Sequence, residues 1–562
     1  MNSLWIAGLA AAWLVIGYRW YGRRIASRLI GPDDAIVVPS RSRADGVDYH
    51  ATRAPVLFGH HFSSIAGAGP IVGPLLGVLY FGWAAALGWI ALGSVFMGAV
   101  HDYVSLMASV RSGGVSIGEI AESTLGGRAR LILSVFLWCT LVMVVAVFGV
   151  ITAQTLVKEP GIVLPTFGLI LVAAVFGAGV LRPGRPLLPY TLLALTALAA
   201  LVWLGVRLPV TLPPTVLGVP AATIWFWILM AYCVLASTLP VWLLLQPRDY
   251  LSTWILYLGI GGGVLGLVAL HPTLGAPAFT GLSAPGQGPV WPMLCVMIAC
   301  GAISGFHSLV AGGTTSKQIS RESDGLRIGF GAMILEAGLA VMVVLIAAGA
   351  LAWDAGAAPA AGSLQQLMGP AGGGPIVAFA TGFGRLTDAL PGLGASVGLF
   401  FGILMINAFV ITTLDTSTRL ARFVLQELVR DAPVVGGRWG ATLATVLAAG
   451  WLGASDSYHR IWPVFGAANQ LVAALSLLVV SSWLVGLHKP RAATLVPALF
   501  MLATTIGALG WQCAGFLRDG EWLLAGIAAG LIAMAAFLAW EARGLLHRSG
   551  RTVGRRREPA ST

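Results

Sequence analysis

Residues Gly59 to Pro74 read GHHFSSIAGAGPIVGP and lie in an otherwise apolar run long enough to cross a bilayer. Two adjacent histidines, four glycines and two prolines interrupt that run. Glycine loosens a helical backbone, and proline removes a hydrogen-bond donor from it. In lipid, backbone groups freed in this way persist only where they face protein or a water-filled cavity. The stretch therefore predicts a membrane-spanning helix broken in mid-course, at a site for a solute or an ion.

The rest of the chain sets that break in a membrane. Of 562 residues, 57% are hydrophobic and only 10% charged, against about 25% charged in an ordinary soluble domain. Apolar runs follow one another along nearly the whole length and leave no stretch for a separate soluble domain, so one all-α polytopic membrane domain is expected. In a soluble protein the net charge of +11 would point to nucleic acid. Here the Lys and Arg residues gather in short loops, as the positive-inside rule describes, so the expected partner is the lipid bilayer and not nucleic acid. The tail residues Arg548, Arg551, Arg555, Arg556 and Arg557 read as a cytoplasmic end beside anionic lipid. Cys139, Cys233, Cys295, Cys300 and Cys513 show no CxxC spacing and no histidine at metal-ligand distance. Helix packing accounts for them.

The apolar runs place about fifteen spans, near 4–22, 57–80, 82–110, 131–156, 162–181, 187–206, 221–245, 250–270, 289–313, 328–352, 393–416, 439–454, 461–485, 493–515 and 522–543. Arginines follow the first span instead of preceding it, and no small-residue cleavage site is present. It reads as a retained span with the N-terminus outside. The basic loops 41–53, 111–130, 182–185, 317–327 and 419–438, with Arg248, Lys489 and Arg491, then fall in the cytoplasm. Loops assigned outside, such as 271–288 and 353–375, carry almost no basic residues. The short run 439–454 and the Gly-rich segment 369–392, which also reads as a re-entrant hairpin, are where the count can change.

A second stretch, SGFHSLVAGGTT from Ser304 to Thr315, resembles the first. Aligning Ser63 with Ser308 also matches Ile65 with Val310, Ala66 with Ala311 and Gly67 with Gly312, and each copy has histidine just upstream. In this topology the copies run in opposite directions. An inverted repeat requires that, and paired interrupted segments point to a transporter's midplane site.

Ionisable groups inside spans are costly and usually functional. Besides His60, His61 and His307 they are His101 with Asp102, Glu336, and Asp415. The His60–His61 pair stands at the cytoplasmic start of its span, where it could also cap a helix or meet headgroups. Neighbours in sequence do not share a helix face, so His101 and Asp102 are expected to find separate partners on other helices. Glu336 has no cation one turn away and is the leading proton carrier. Asp415 has Arg419 four residues on, so an ordinary helical salt bridge competes with a functional role. Thr412, Thr413 and Thr416 could coordinate an ion or bond their own helix carbonyls. Asn407, Asn469 and Gln470 add amides to the interior. No HExxH, GxSxG or Walker pattern occurs, and His60, His61, His101 and Asp102 lack zinc spacing, so neither a metal nor a cofactor is expected.

The motifs YRWYGR at 18–23, DGVDY at 45–49, FGHHFSSIAGAGPIVGP at 58–74, GAVHDYVSL at 98–106, SGFHSLVAGGTTSKQI at 304–319, LDTSTRLARF at 414–423 and IWPVFGAANQLVAA at 461–474 together resemble the carbon starvation protein A family. The resemblance covers most of the chain up to about 485; residues 486–545 read as additional helices and 546–562 as a basic cytoplasmic tail. It implies an inner-membrane carrier taking up peptides or pyruvate when carbon is scarce, driven by protons. The family is similar to the amino acid–polyamine–organocation transporters, which implies a LeuT-like core of two inverted five-helix repeats, here 57–206 and 289–485. Within that core, half-helix N-termini near Gly67, Ala68 and Gly69 and near Gly312, Gly313 and Thr314 would bind a substrate carboxylate, flanked by His60, His61, Ser63, His307 and Ser308. Glu336, Asp102, His101 or another histidine would carry the proton. The resemblance also implies a cation site between Ala66–Gly69 and Thr412–Thr416, so a sodium-coupled carrier using Thr412, Thr413 and Asp415 is the second reading. A membrane enzyme or sensor is the third.

Overall fold

The computed structural model describes residues 1–180, 186–353, 362–369, 372–429, 434–454 and 458–547. The basic tail from Arg548 and the arginines at 182 and 185 lie outside the described residues. In chain order the helices are α1 (Ser3–Ile30), α2 (Ala54–Ile65), α3 (Gly69–Phe81), α4 (Trp83–Arg111), α5 (Ile117–Leu125), α6 (Gly127–Lys158) and α7 (Val163–Val180). Then come α8 (Leu187–Arg207), α9 (Ala221–Thr238), α10 (Leu245–Leu270), α11 (Val290–Met297), α12 (Gly305–Gly313) and α13 (Leu326–Ala350). The last are α14 (Leu364–Met368), α15 (Gly374–Asp388), α16 (Ala395–Leu428), α17 (Arg438–Ala454), α18 (Tyr458–Gly486), α19 (Ala492–Arg518) and α20 (Trp522–His547).

Among the described residues, twelve helices are long and apolar enough to cross a membrane, or thirteen when α2 and α3, bent by 43° at their junction, count as one span. The sequence reading of about fifteen also included the interrupted pair α11–α12 and the 17-residue α17. The Gly-rich segment 369–392 holds α15, which folds back along α16 and is buried by Ile376, Phe379 and Phe383. Burial divides the bundle: the apolar windows of α13, α16 and α18 are 78, 78 and 94% enclosed, against 17% for α8. The first three form the centre, and α8 presents its side chains outward.

Two features of the basic loops differ from the sequence reading. Arg248 is no loop residue: with Gln246 and Asp249 it is buried in the first turn of α10. Lys317, Arg419 and Arg422 are buried as well, the two arginines on the last turns of α16. The loop before α2 crosses this end of the bundle as a strap. Its Val47 carbonyl accepts from Val241 N at 2.9 Å, and His50 N and Thr52 N donate to the carbonyls of Lys317 and Gln318 at 3.1 and 2.9 Å.

Candidate functional site

The first break follows from local chemistry. Pro70, at the start of α3, has no N–H, and in a continuous helix its ring would meet the Ala66 carbonyl one turn back. The chain instead leaves the helix at Ala66 (φ −75°, ψ 78°), makes a tight turn with Gly67 N on Ile65 O at 2.9 Å, and restarts at Gly69. The second break spans 298–304, and α3 packs directly against it. Gly69, Gly73 and Gly77 recur every fourth residue and face Cys300, Met297 and Ile298. Small residues at this spacing let membrane helices approach backbone to backbone. Asn469 of α18 then anchors the restart of α12, accepting from Phe306 N at 2.9 Å and donating to Ser304 Oγ at 3.0 Å.

Helix α16 runs past the first break. Ser63 Oγ lies 3.3 Å from Thr412 Oγ1, Thr413 Oγ1 donates to Ser64 O at 3.2 Å, and Ser64 Oγ is 3.1 Å from Thr416 Oγ1. Thr412 and Thr413 also bond their own helix carbonyls, at 2.8 and 3.1 Å. Gly67, Ala68 and Gly69 therefore sit at a break beside threonine hydroxyls. Ser308, Gly312, Gly313 and Thr314 do not sit at the second break. Ser308 Oγ bonds Gly305 O and Ser476 Oγ, both at 2.8 Å, Gly312 O accepts from Ser109 and Ser316, and Gly313 packs on Leu420. They form the end of α12, which offers carbonyls, so the expected anion-binding N–H groups at Gly312–Thr314 are corrected. The second half-helix instead begins at Ser304. The two similar motif copies thus lie in non-equivalent halves: one ends the helix before the first break, the other ends the helix after the second.

The two adjacent histidines are fully buried midway along α2 and so lie in the first part of the broken α2–α3 span. They face different partners. His61 Nδ1 lies 2.8 Å from Thr315 Oγ1, and His60 Nδ1 lies 2.6 Å from Asp249 Oδ2. Around Asp102 a first polar cluster joins three helices. His307 Nδ1 of α12 is 2.9 Å from Asp102 Oδ2, and His307 Nε2 is 3.4 Å from Glu336 Oε2 of α13. His101 Nδ1 is 2.8 Å from Asp102 Oδ1, so Asp102 has a local partner as well as the distant one expected. Both Glu336 oxygens and the Nε2 atoms of His61, His101 and His307 are buried without a hydrogen-bond partner among the described residues. A proton on His307 gives that ring a donor at each nitrogen, one facing each carboxylate.

A second cluster was missed from sequence. Arg248 donates to Asp249 Oδ1 at 2.8 Å, to Tyr232 Oη at 2.9 Å, and to Asp415; Tyr232 Oη also donates to Asp415 Oδ2 at 2.6 Å. Of the two readings of Asp415, the helical salt bridge with Arg419 is not formed. Arg419 reaches the strap instead, 2.7 Å from Asp48 Oδ1, where Arg422 joins it at 3.2 Å. The signal was present in RDY at 248–250 and in DGVDY, but a charge pair at the edge of an apolar run reads as a loop. Burial raises the Asp48 carboxyl, but Arg422, Arg419 and Lys317 outweigh it and hold the group below the ordinary carboxylate value. Burial pulls the Lys317 ammonium down to about 8 against the attraction of Asp48 and Glu427. Lys317 Nζ stacks 3.6 Å from the Phe423 ring centre and 5.4 Å from that of Tyr49.

Opposite the strap, a cavity of about 780 Å³ reaches from Lys158 to Ala68 in the first break, bounded by Ile71 and Ile406. Ile406 and Arg422 are sixteen residues apart on α16, about 24 Å at the helical rise. Among the described residues, no group of three His, Cys, Asp or Glu could hold a metal ion.

The family described as carbon starvation protein CstA matches residues 2–508. The peptide transporter CstA of Escherichia coli K12 is 33% identical across 92% of this chain and 81% of its own. The pyruvate/proton symporter BtsT of the same organism is 31% identical across 91% and 81%, and the peptide transporter CstA of Bacillus subtilis 31% across 93% and 92%. Among solved structures, MhsT in complex with L-phenylalanine superposes with a TM-score of 0.51 at 13% identity, covering 88% of this chain and 99% of the other. The manganese transporter of Eremococcus coleocola gives 0.51 at 12%, covering 89% and 99%. These likenesses show the fold; the relatives are transporters, not enzymes.

Proposed function

The chain belongs to the carbon starvation protein CstA family, and from that premise we propose that it is a proton-coupled secondary transporter taking up pyruvate or peptides in the carbon starvation response. It is a multi-pass membrane protein; in this reading the membrane is the inner one, the N-terminus is outside and the strapped end faces the cytoplasm. The reading counts α2–α3, α11–α12 and α17 among about fifteen spans. It pairs the break of α2–α3 with that of α11–α12 as the first helices of two inverted five-helix repeats.

The observation that carries proton coupling is the buried His307–Glu336 contact of 3.4 Å. It joins the half-helix after the second break to α13, and its atoms, His307 Nε2 and both Glu336 oxygens, are buried with no hydrogen-bond partner among the described residues. A proton shared there changes the charge that α4, α12 and α13 must hold together. That is a direct way to bias one arrangement of the breaks over another. Alternating access is further supported by the cavity at one end of α16 and the Asp48 strap closing the other.

Sodium coupling is the second reading, favoured by Thr413 Oγ1 and the Ser64 carbonyl meeting at 3.2 Å beside the first break. Proteoliposome uptake of labelled pyruvate and of dipeptides, under a pH gradient or a sodium gradient imposed separately, decides between them. Uptake driven by inward protons is expected. Sodium dependence with indifference to pH would replace proton coupling by the second reading, and no uptake under either gradient would end the transporter reading.

A further inference from the structure

The large cavity is built unlike a site for a three-carbon acid. Its volume is about 780 Å³, within the range of pockets that enclose ligands many times larger than water. Apolar side chains dominate the wall, including Ile71, Val72, Ile151 and Ile406, and among the described lining residues Lys158 is the only ionisable one. Lys158 ends α6, and its ammonium donates to the Gly373 carbonyl at 2.6 Å. Gly373 precedes α15 in the left-handed region (φ 86°) and brings no capping side chain. The ammonium thus stands beside the positive end of a 15-residue helix. A neutral carbonyl is a weak partner for a lysine, and a carboxylate entering the cavity would replace it with a charge-assisted hydrogen bond.

We infer that the cavity between Lys158 and Ala68 recognises a monocarboxylate with an apolar body larger than that of pyruvate, its carboxylate held by Lys158 and its body lying on Ile71, Val72, Ile151 and Ile406. This rests on the reading of the chain as a carrier and departs from its pyruvate-or-peptide cargo by naming a larger substrate. A zwitterionic peptide fits less well, because its ammonium would enter an apolar wall that presents no carboxylate among the described residues, and burying an unpaired charge is expensive. Pyruvate would leave most of the wall uncovered. Each additional carbon laid on that wall strengthens binding through the area it removes from water.

The test is equilibrium binding of labelled 4-methyl-2-oxopentanoate to the purified full-length protein, with pyruvate and leucyl-leucine as competitors. The branched acid is expected to bind at least about tenfold more tightly than pyruvate, from three further buried carbons, and leucyl-leucine to compete no better than pyruvate. Lys158→Met should weaken the branched acid at least about tenfold, and Lys158→Arg should restore most of the loss, because both retain the stem while only Arg retains the charge. Lys158 also ties α6 to α15, so a second variant guards against misfolding. Ile151→Trp narrows the cavity and should weaken the branched acid about tenfold while changing pyruvate by less than about threefold. Tighter binding of leucyl-leucine, equal binding of the two oxo acids, or unchanged affinity in Lys158→Met overturns the inference. Binding is read without a gradient, so its failure is separate from failure of the transport reading, which vesicle uptake reports.

Discussion

At the scale of single residues, the buried charges divide into one without a hydrogen-bond partner among the described residues, Glu336, and one held by several, Arg248. No cation lies one helical turn from Glu336 in the sequence, and the structure supplies His307 from another helix as its neighbour. Glu336→Gln keeps the shape and removes the titration. It is expected to abolish uptake driven by a pH gradient, by a hundredfold or about that, while leaving counterflow exchange intact; unchanged driven uptake would remove Glu336 as the carrier. Arg248 serves two carboxylates, Asp249 and Asp415, with all three side chains no more than 1% exposed. Arg248→Met leaves two buried carboxylates without their cation and should destabilise the protein by about 3–5 kcal/mol. Thermal unfolding in detergent checks this, and a midpoint like that of the parent would show that the cluster is not held by Arg248. The partner of Asp415 was not legible. Arg419 is close in sequence, but Arg248 meets Asp415 from 167 residues away, and local spacing carries no information about which helices lie side by side.

At the scale of elements, α3 shows how a glycine pattern is used. Around Pro74 the sequence showed a helix disturbed by glycine and proline. The structure adds that Gly69, Gly73 and Gly77 form one face, pressed on the second break. A Cβ at Gly73 would lie 2.7 Å from the Met297 carbonyl oxygen and 3.1 Å from Ile298 Cα. Gly73→Ala should therefore cost about 1–3 kcal/mol through overpacking. Gly88→Ala, on α4 where nothing lies within 4 Å, should be neutral or slightly stabilising. Equal unfolding midpoints for the two variants would show that α3 and the second break do not depend on this contact. Helix α16 is the other organising element. Down its length it presents Ile406 to the cavity, Thr412 and Thr413 to the first break, Asp415 to Arg248, and Arg419 and Arg422 to the strap.

At the scale of the whole molecule, a cavity at one end and a clamped strap at the other make the ends unequal. Asp48 holds the strap to two arginines that are 1% exposed. Asp48→Asn removes the charge from that clamp and should raise the reactivity of a cysteine at Thr416 toward a soluble thiol reagent several-fold, in a background without the five native cysteines. Reactivity equal to that with Asp48 present would show that the strap does not close this end. The amino-acid sequence by itself determined the apolar helices and the place of the first break, because chain hydropathy and the clash of Pro70 with the carbonyl one turn back act between neighbouring residues. It also determined that Glu336 has no cation one helical turn away, so that a proton or another helix must neutralise it. The tertiary structure alone decided that the two similar motif copies occupy unlike half-helices, that Arg419 reaches the strap while Asp415 takes Arg248, and that a cavity lined by both Lys158 and Ala68 opens at the first break. Each of these depends on which helices come to lie together, and that follows from the packing of the whole bundle.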